Sequence, residues 1–409
     1  MNRRMWSVNA KELRGQLLVL VIVTWGFAAL NTFTEGPNYR TGQIKGADFL
    51  HFYVLGSLVA EGRGDLLYDV QAQRAVQERL VPASRGTWFV PIYGPQTALM
   101  FAGFARLPYL CAALGWALLT TIGYGACVWM LWRQCPSLHA RKELVALAAL
   151  GAPPFCSLIL HGQTSVLPLV CVTLAYLALR ADRQWWAGVA LGSLVVKPQL
   201  GLAVALVMVT RREWRVVGGA IAAVAAQWGT SAVVLGTGPL LAYFQMLRNG
   251  PRLADLLEPK PFQLHSLRAF WDLVLPYPSV ALTLYLLAGA VVMTLIVRLW
   301  RPFVPLEIRY SALIVATILV SPHVGVYDLV LLAPAFILTA AEIERSTDPR
   351  RRVLRMILYV AYLVPLTAPL AALTHLQLSV PVFATWLAAL HWAACGMMGR
   401  FGRTRPADL

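Results

Sequence analysis

Three runs of residues without a single charge limit what this chain can fold into: Gln16 to Ala29, Val280 to Val297 and Met356 to Leu373. A helical run near ~20 residues crosses the hydrocarbon core of a bilayer. Composition points the same way. Of the 409 residues, 58% are hydrophobic and 13% charged, where a soluble domain carries about 25% charged residues. Lipid must cover what polar side chains cannot. The chain therefore reads as an all-α polytopic membrane protein, one membrane-embedded domain over 1–409, and its length counts helices.

Apolar runs and their Pro, Gly and Arg punctuation place about 12 transmembrane helices, roughly at 15-33, 93-107, 109-132, 143-160, 164-180, 185-210, 214-235, 279-300, 308-322, 324-342, 352-373 and 377-398. Both termini then face the cytoplasm. Arg211, Arg212, Arg215, Arg298, Arg301, the cluster Arg350, Arg351, Arg352, Arg355 and the tail Arg400, Arg403, Arg405 fall inside, as the positive-inside rule expects. Arg133, Arg141 and Lys142 break the rule by falling outside. If 93-107 is only a half-crossing, the middle of the chain inverts. The basic start (Arg3, Arg4, Lys11, Arg14) has no small-residue cleavage site before Asn31, so the first run reads as an uncleaved helix. The net charge of +16 is spread over short loops, which suits topology signals and anionic membrane lipids and gives no reason to expect nucleic acid.

Two segments lie between spans and are expected outside. The first extracytoplasmic loop, 34-92, holds an apolar helix over Asp48–Ala60, expected to lie in the membrane interface, and a polar helix capped by Asp69. Pro82, Gly86, Pro91 and Pro95 mark its return. The second, 236-278, contains Pro239, Pro251, Pro259, Pro261, Pro276 and Pro278 and reads as mostly irregular. Trp185, Trp186, Trp214 and Trp300 fit interfacial belts. The six cysteines show no CxxC and no zinc spacing, so they read as small apolar residues.

Polar groups at membrane depth are costly and mark function by default. Asp48, in GADFLHFYV, is either the N-cap of its helix or a base held at the lipid–water boundary; the two roles are compatible. Lys197, in VVKPQLG, lies mid-span, where a charge costs roughly 2.5 kcal/mol or more, beside Pro198, which breaks helical hydrogen bonding. It is a candidate for holding an anion such as a lipid phosphate, against a reading as a snorkelling lysine. His323 and Asp328, in SPHVGVYDLVLL, accompany Tyr327 at a broken helix end. His161, Gly162 and Gln163 join two spans as a tight capping turn, which the topology places inside, away from the others. There is no GxxxxGK, GxGxxG, GxSxG or HExxH.

GADFLHFY, GDLLYD, FVPIYGPQTALMFAGFARLP, HGQTSVLPL, WAGVALGSLVVKPQLGL and SPHVGVYDLVLL occur in this order. The set resembles the DUF2029 proteins, glycosyltransferase family 87, from about Asp48 to Leu332. The resemblance implies a GT-C-type bundle and a polyprenol-phosphate-mannose-dependent alpha-1,2-mannosyltransferase activity. It further implies a site on the outer face of a bacterial plasma membrane, a polyprenyl-phosphate-sugar donor and a glycolipid or cell-envelope glycan acceptor. By carry-over Asp48 is the general base, His323 lies at the reaction centre, and Lys197 and Gln199 serve the donor phosphate, with Tyr327 and Asp328 in support. Where the family often has Tyr-Pro-Pro, this chain has Tyr93-Gly94-Pro95.

Chemistry is consistent with that resemblance. A sugar phosphate brings its own leaving group, so the enzyme needs a base for the acceptor hydroxyl and donors for the departing phosphate. One displacement inverts the anomeric centre, unlike the two-step retaining scheme. No carboxylate pair or metal cluster is evident at the outer surface, so no metal or other cofactor is expected. The alternative is a lipid or glycolipid transporter (a flippase), which often shows broken helices in matching halves; one Lys-Pro break has no counterpart here. A non-catalytic scaffold would need neither Lys197 nor Asp48.

Overall fold

Short helices interrupted by Gly and Pro alternate with long ones through the chain. The computed structural model describes residues 10–249, 261–347 and 351–401. Arg3, Arg4, Pro251, Pro259, Arg350, Arg403 and Arg405 lie outside the described residues, as does the side chain of Arg400. The helices are α1 Ala10–Thr32, α2 Ala47–Ala60, α3 Val70–Leu80, α4 Pro95–Phe101, α5 Tyr109–Arg133, α6 Lys142–Gly151, α7 Pro153–His161, α8 Val166–Arg180, α9 Gln184–Gly192 and α10 Pro198–Thr210. They continue with α11 Trp214–Leu235, α12 Thr237–Asn249, α13 Leu267–Val274, α14 Pro278–Leu299, α15 Leu306–Val320, α16 Ala333–Arg345, α17 Arg351–Leu363, α18 Ala368–Thr374 and α19 Ser379–Phe401. Short 3-10 turns at Ser193–Val196 and Val326–Leu332 extend α9 and precede α16.

Among the described residues, six helical stretches are long and apolar enough to cross a membrane: α1, α5, α11, α14, Val326–Arg345 and Arg351–Thr374. The pair Pro136–Gly151 and Pro153–His161 makes a seventh if its 44° bend is one span; Pro153 at the first position of α7 accounts for the break. Large apolar side chains face outward on these helices. Val19, Ile22, Val23 and Phe27 of α1 are each more than 60% exposed, a surface suited to contact with lipid. The chain is a multi-pass membrane protein.

Ion pairs and hydrogen bonds sort the helix ends into two groups. At one end Arg14 pairs with Glu143 (3.3 Å), Arg180 with Glu307 (3.2 Å), and Arg141 with Glu344 (2.8 Å), while Trp300 Nε1 donates to Glu213 (3.3 Å). At the other end Tyr39 donates to Leu160 O (2.5 Å), Tyr109 to Lys45 O (2.7 Å), and His265 N–H to Val324 O (2.8 Å). Arg133, Arg141 and Lys142 therefore share the basic end with Arg211, Arg298 and Arg355, and the exception to the positive-inside pattern disappears.

The expectation of about twelve crossings fails at two places. The segment 93-107 is the seven-residue α4 and a 3-10 turn, Phe104–Arg106; at ~1.5 Å per residue α4 spans only about 10 Å. The segment 185-210 is a hairpin. A Cβ on Gly188 would sit 2.0 Å from Val216 O, and one on Gly192 2.3 Å from Ala220 O. Both contacts advance along the two helices together, so α9 and α11 run parallel, packed backbone to backbone as small residues four apart allow. Both start at the basic end. The 13-residue α10 must then return to that end to reach Glu213, leaving Lys197 at the apex between the legs. Pro198 is the first residue of a new helix, a favoured position, and not a break within one. Trp185, Trp186 and Trp214 lie exposed together at the basic end, as belt residues do; Trp300 is buried, contrary to expectation.

Two loop expectations also change. The helix over Asp48–Ala60 does not lie on an interface: Phe49 through Leu58 are all buried, because a helix apolar all round has no face to offer water. Gly56 lets α2 approach α4, where a Cβ would meet Phe101 O at 2.4 Å. The second loop is not mostly irregular where described, since α12 and α13 occupy 237–249 and 267–274. Asp69 caps α3 as expected, accepting from Gln71 N and Ala72 N.

Candidate active site

The end opposite the basic residues carries a buried polar cluster built at helix breaks. Asp48 lies in the first turn of α2. It is not the N-cap: Gly46 holds that position in the left-handed region (φ 65°), and no side chain caps the helix. A left-handed residue here favours glycine. Freed from capping, Asp48 is half-buried and its Oδ2 accepts a hydrogen bond from Gln163 Nε2 at 3.1 Å.

That bond overturns the placement of His161, Gly162 and Gln163 on the inner side. The turn does cap α7: Gly162 (φ 66°) donates its N–H to Leu158 O and Ile159 O. Yet it packs on α2, where a Cβ on Gly162 would lie 2.6 Å from Phe49 Cβ. His161 Nδ1 donates to Ser157 O (2.9 Å), and its ring lies 5.8 Å from that of Tyr327.

Beneath this layer Lys197 Nζ donates to Asp328 Oδ1 (2.7 Å) and Ser165 Oγ (2.9 Å), and lies 5.1 Å from the centroid of Tyr327. Ser165 Oγ donates to the same Asp328 oxygen at 2.6 Å, while Oδ2 accepts Gly325 N–H at 3.0 Å. The Lys197 and Asp328 side chains are 3% and 1% exposed. The lysine therefore does not snorkel; a carboxylate compensates it. Gln199 is half-buried in the first turn of α10. His323 is half-buried beside this pair, within electrostatic reach of Asp328.

The structure thus gathers Asp48, Lys197, Asp328, Tyr327 and His323, and adds groups that sequence reasoning missed as site members: His161, Gln163, Ser165 and Tyr93. Burial raises the Asp48 carboxyl above its ordinary range, opposed by the nearby His161, the Gln163 hydrogen bond and Lys197. Burial likewise raises the Tyr93 hydroxyl. His265 is a further missed neighbour. It is fully buried, bonds Ser379 Oγ through Nδ1 at 2.8 Å, and is pushed by burial down to about 4. FQLHSL carries no local signal that would have singled it out. HGQTS did carry one, a polar pentapeptide between apolar spans.

Among the described residues no group of three or more His, Cys, Asp or Glu is placed to hold a metal ion. A crevice of about 360 Å3 lined by Trp129, Met130, Arg133, Gln134 and Leu177 lies at the basic end and contains none of the clustered groups. The cluster can accept a proton at Asp48 and offer N–H and O–H donors to an anion.

The sequence model of glycosyltransferase family 87 matches residues 91–322, more than half of the chain. The match contains Tyr93, Gln163, Ser165, Lys197, Gln199 and His265; Asp48, His323, Tyr327 and Asp328 fall outside it. No curated protein and no solved structure matches the chain. A helical, multi-pass chain matched over that length is accounted for in one way: it belongs to glycosyltransferase family 87.

Proposed function

We propose that this glycosyltransferase transfers mannose from a polyprenyl-phosphate donor to a lipid-linked or cell-envelope glycan on the outer face of a bacterial plasma membrane, with inversion and without a metal. Orientation follows from charge. The arginine-rich loops share one end, and the positive-inside rule assigns that end to the cytoplasm, so Asp48 faces outward. A polyprenyl donor enters from lipid, which suits a cluster buried between membrane helices.

Asp48 Oδ1 takes the acceptor hydroxyl proton as the acceptor oxygen attacks the anomeric carbon. The carbon–oxygen bond to phosphate breaks, and polyprenyl phosphate departs with the electron pair. His323, Gln199 and the N–H of Lys197 that Asp328 and Ser165 leave over serve the growing phosphate charge. Tyr327 and Asp328 hold Lys197 in place. The observation that carries this reading is the half-buried Asp48 carboxylate within electrostatic reach of the Lys197–Asp328 pair. A transporter reading needs no base beside such a pair, and the family match favours an enzyme.

The test uses membranes of source cells lacking the chain and complemented with wild-type protein or Asp48→Asn. Wild-type membranes should transfer radiolabelled mannose from polyprenyl-phosphate-mannose to endogenous acceptors. Asp48→Asn should lose about 10²–10⁴-fold in rate at equal protein level. Equal rates in the two membranes would remove Asp48 as the base.

A further inference from the structure

The α7–α8 turn does more than cap a helix. The Gln163 side chain is 6% exposed. Its Oε1 accepts the N–H of Thr164 at 3.0 Å, and its Nε2 donates to Asp48 Oδ2 at 3.1 Å. The first bond settles the second: turning the amide over would set N–H against N–H and lose both. The turn that carries the amide is fixed in its own right. Gly162 occupies the left-handed region, and Trp116 Nε1 donates to Gly162 O (3.1 Å) and Gln163 O (3.3 Å). A backbone N–H thus aims a buried side chain at one oxygen of the carboxylate.

We propose that Gln163 is a positioning residue for glycosyl transfer: locked by Thr164 N–H, its amide occupies Asp48 Oδ2 and turns Oδ1 toward the acceptor hydroxyl. This rests on the reading of Asp48 as the base. A hydrogen bond to the ionised carboxylate also favours the form that accepts a proton, which a half-buried carboxyl would otherwise resist. The other groups that face Asp48 are His161 from α7, Lys197 from the hairpin apex, Asp328 and Tyr327 from the 3-10 turn, Tyr93 before α4, and Tyr109 from α5. All remain when Gln163 alone is replaced.

The experiment measures mannosyl transfer against pH in the complemented membranes for wild type, Gln163→Leu, Gln163→Glu and Asp48→Asn. Gln163→Leu keeps the apolar stem as far as Cδ and loses the amide. Its kcat should fall ten- to a hundredfold, the midpoint of its acid limb should rise by about one pH unit, and KM for the donor should stay within about twofold. Gln163→Glu, which brings a second carboxylate beside the first, should move the limb at least as far. An acid limb unchanged in both variants, or a loss confined to KM, overturns the positioning role. Should Asp48→Asn be as active as wild type, the base itself is misassigned, a failure distinguishable from the first.

Discussion

Lys197 and Asp328 offer the sharpest energetic test, because two substitutions of the same pair should act in opposite directions. At 2.7 Å and an effective dielectric of ~20, the ions attract by roughly 6 kcal/mol, most of which offsets the cost of removing both from water. Lys197→Met takes away the attraction and leaves the buried carboxylate with hydrogen bonds from Ser165 and Gly325 N–H but no directly paired cation. A buried charge orphaned in this way costs about 3–5 kcal/mol, roughly two to four orders of magnitude in the folding equilibrium. Lys197→Met with Asp328→Asn removes both charges while the amide oxygen still accepts Gly325 N–H and the amide NH2 donates to the Ser165 hydroxyl, which accepts in place of donating. That variant should recover stability to within about 2 kcal/mol of wild type. SDS titration of the detergent-solubilised proteins, followed by circular dichroism, measures both. The folded double variant should bind polyprenyl-phosphate-mannose at least tenfold more weakly. A single variant as stable as wild type, or a double variant no better than the single, would refute the ion-pair argument. Unchanged donor affinity in the double variant would leave the lysine a structural role alone.

Two further outcomes follow from the fold. In a cysteine-free background, Arg183→Cys and Arg215→Cys, both at exposed positions, should be shielded together from a membrane-impermeant thiol reagent in intact cells, while Glu35→Cys is labelled; labelling on opposite sides would restore a single crossing over 185-210. Gly162→Ala places a Cβ 2.6 Å from Phe49 Cβ at φ 66°, so it should cost at least about 1 kcal/mol in the same SDS titration and, by displacing Gln163, lower the transfer rate. Wild-type stability and rate in that variant would show that α2 and the turn do not touch.

What the sequence disclosed divides along physical lines. Runs such as Val280–Val297 were legible because lipid demands unbroken apolar surface wherever a helix faces it, and α14 appears as read. The Asp69 cap was legible because capping is settled within three residues. The hairpin was not. A mostly apolar stretch of 26 residues with a central lysine fits one tilted crossing or two legs of ~20 Å each, and the contacts of Gly188 and Gly192 with α11 distinguish them. The HGQ turn was misplaced for a related reason. Its side of the membrane depends on the parity of every crossing before it, so one false crossing at 93-107 was enough to move Gln163 away from Asp48. The partner of Lys197 lies 131 residues away, beyond any local pattern, although Asp328 itself stood out as a carboxylate among apolar residues.

The positions of the clustered groups have a common cause. A continuous membrane helix presents side chains only from the surface of a cylinder and keeps its backbone N–H groups for itself. Each part of this cluster instead sits where a helix starts or stops: Asp48 just after Gly46, Gln163 just after Gly162, Lys197 just before Pro198, and Asp328 three residues after Gly325. Such ends release backbone N–H groups, and two of them are used directly, Thr164 N–H on Gln163 and Gly325 N–H on Asp328. The released donors orient the very side chains that carry charge, which water would otherwise have to do. On this argument Gly94 is the informative departure. Its φ of −67° is one that proline also adopts, so the Tyr-Pro-Pro variant of the loop can follow the same path. A Cβ there, however, would fall 2.3 Å from Gln96 Oε1 and push aside the amide that donates to Val195 O, two residues before Lys197. The loop before α4 and the hairpin apex are therefore coupled through Gln96, and a change of residue at 94 should be felt at the lysine.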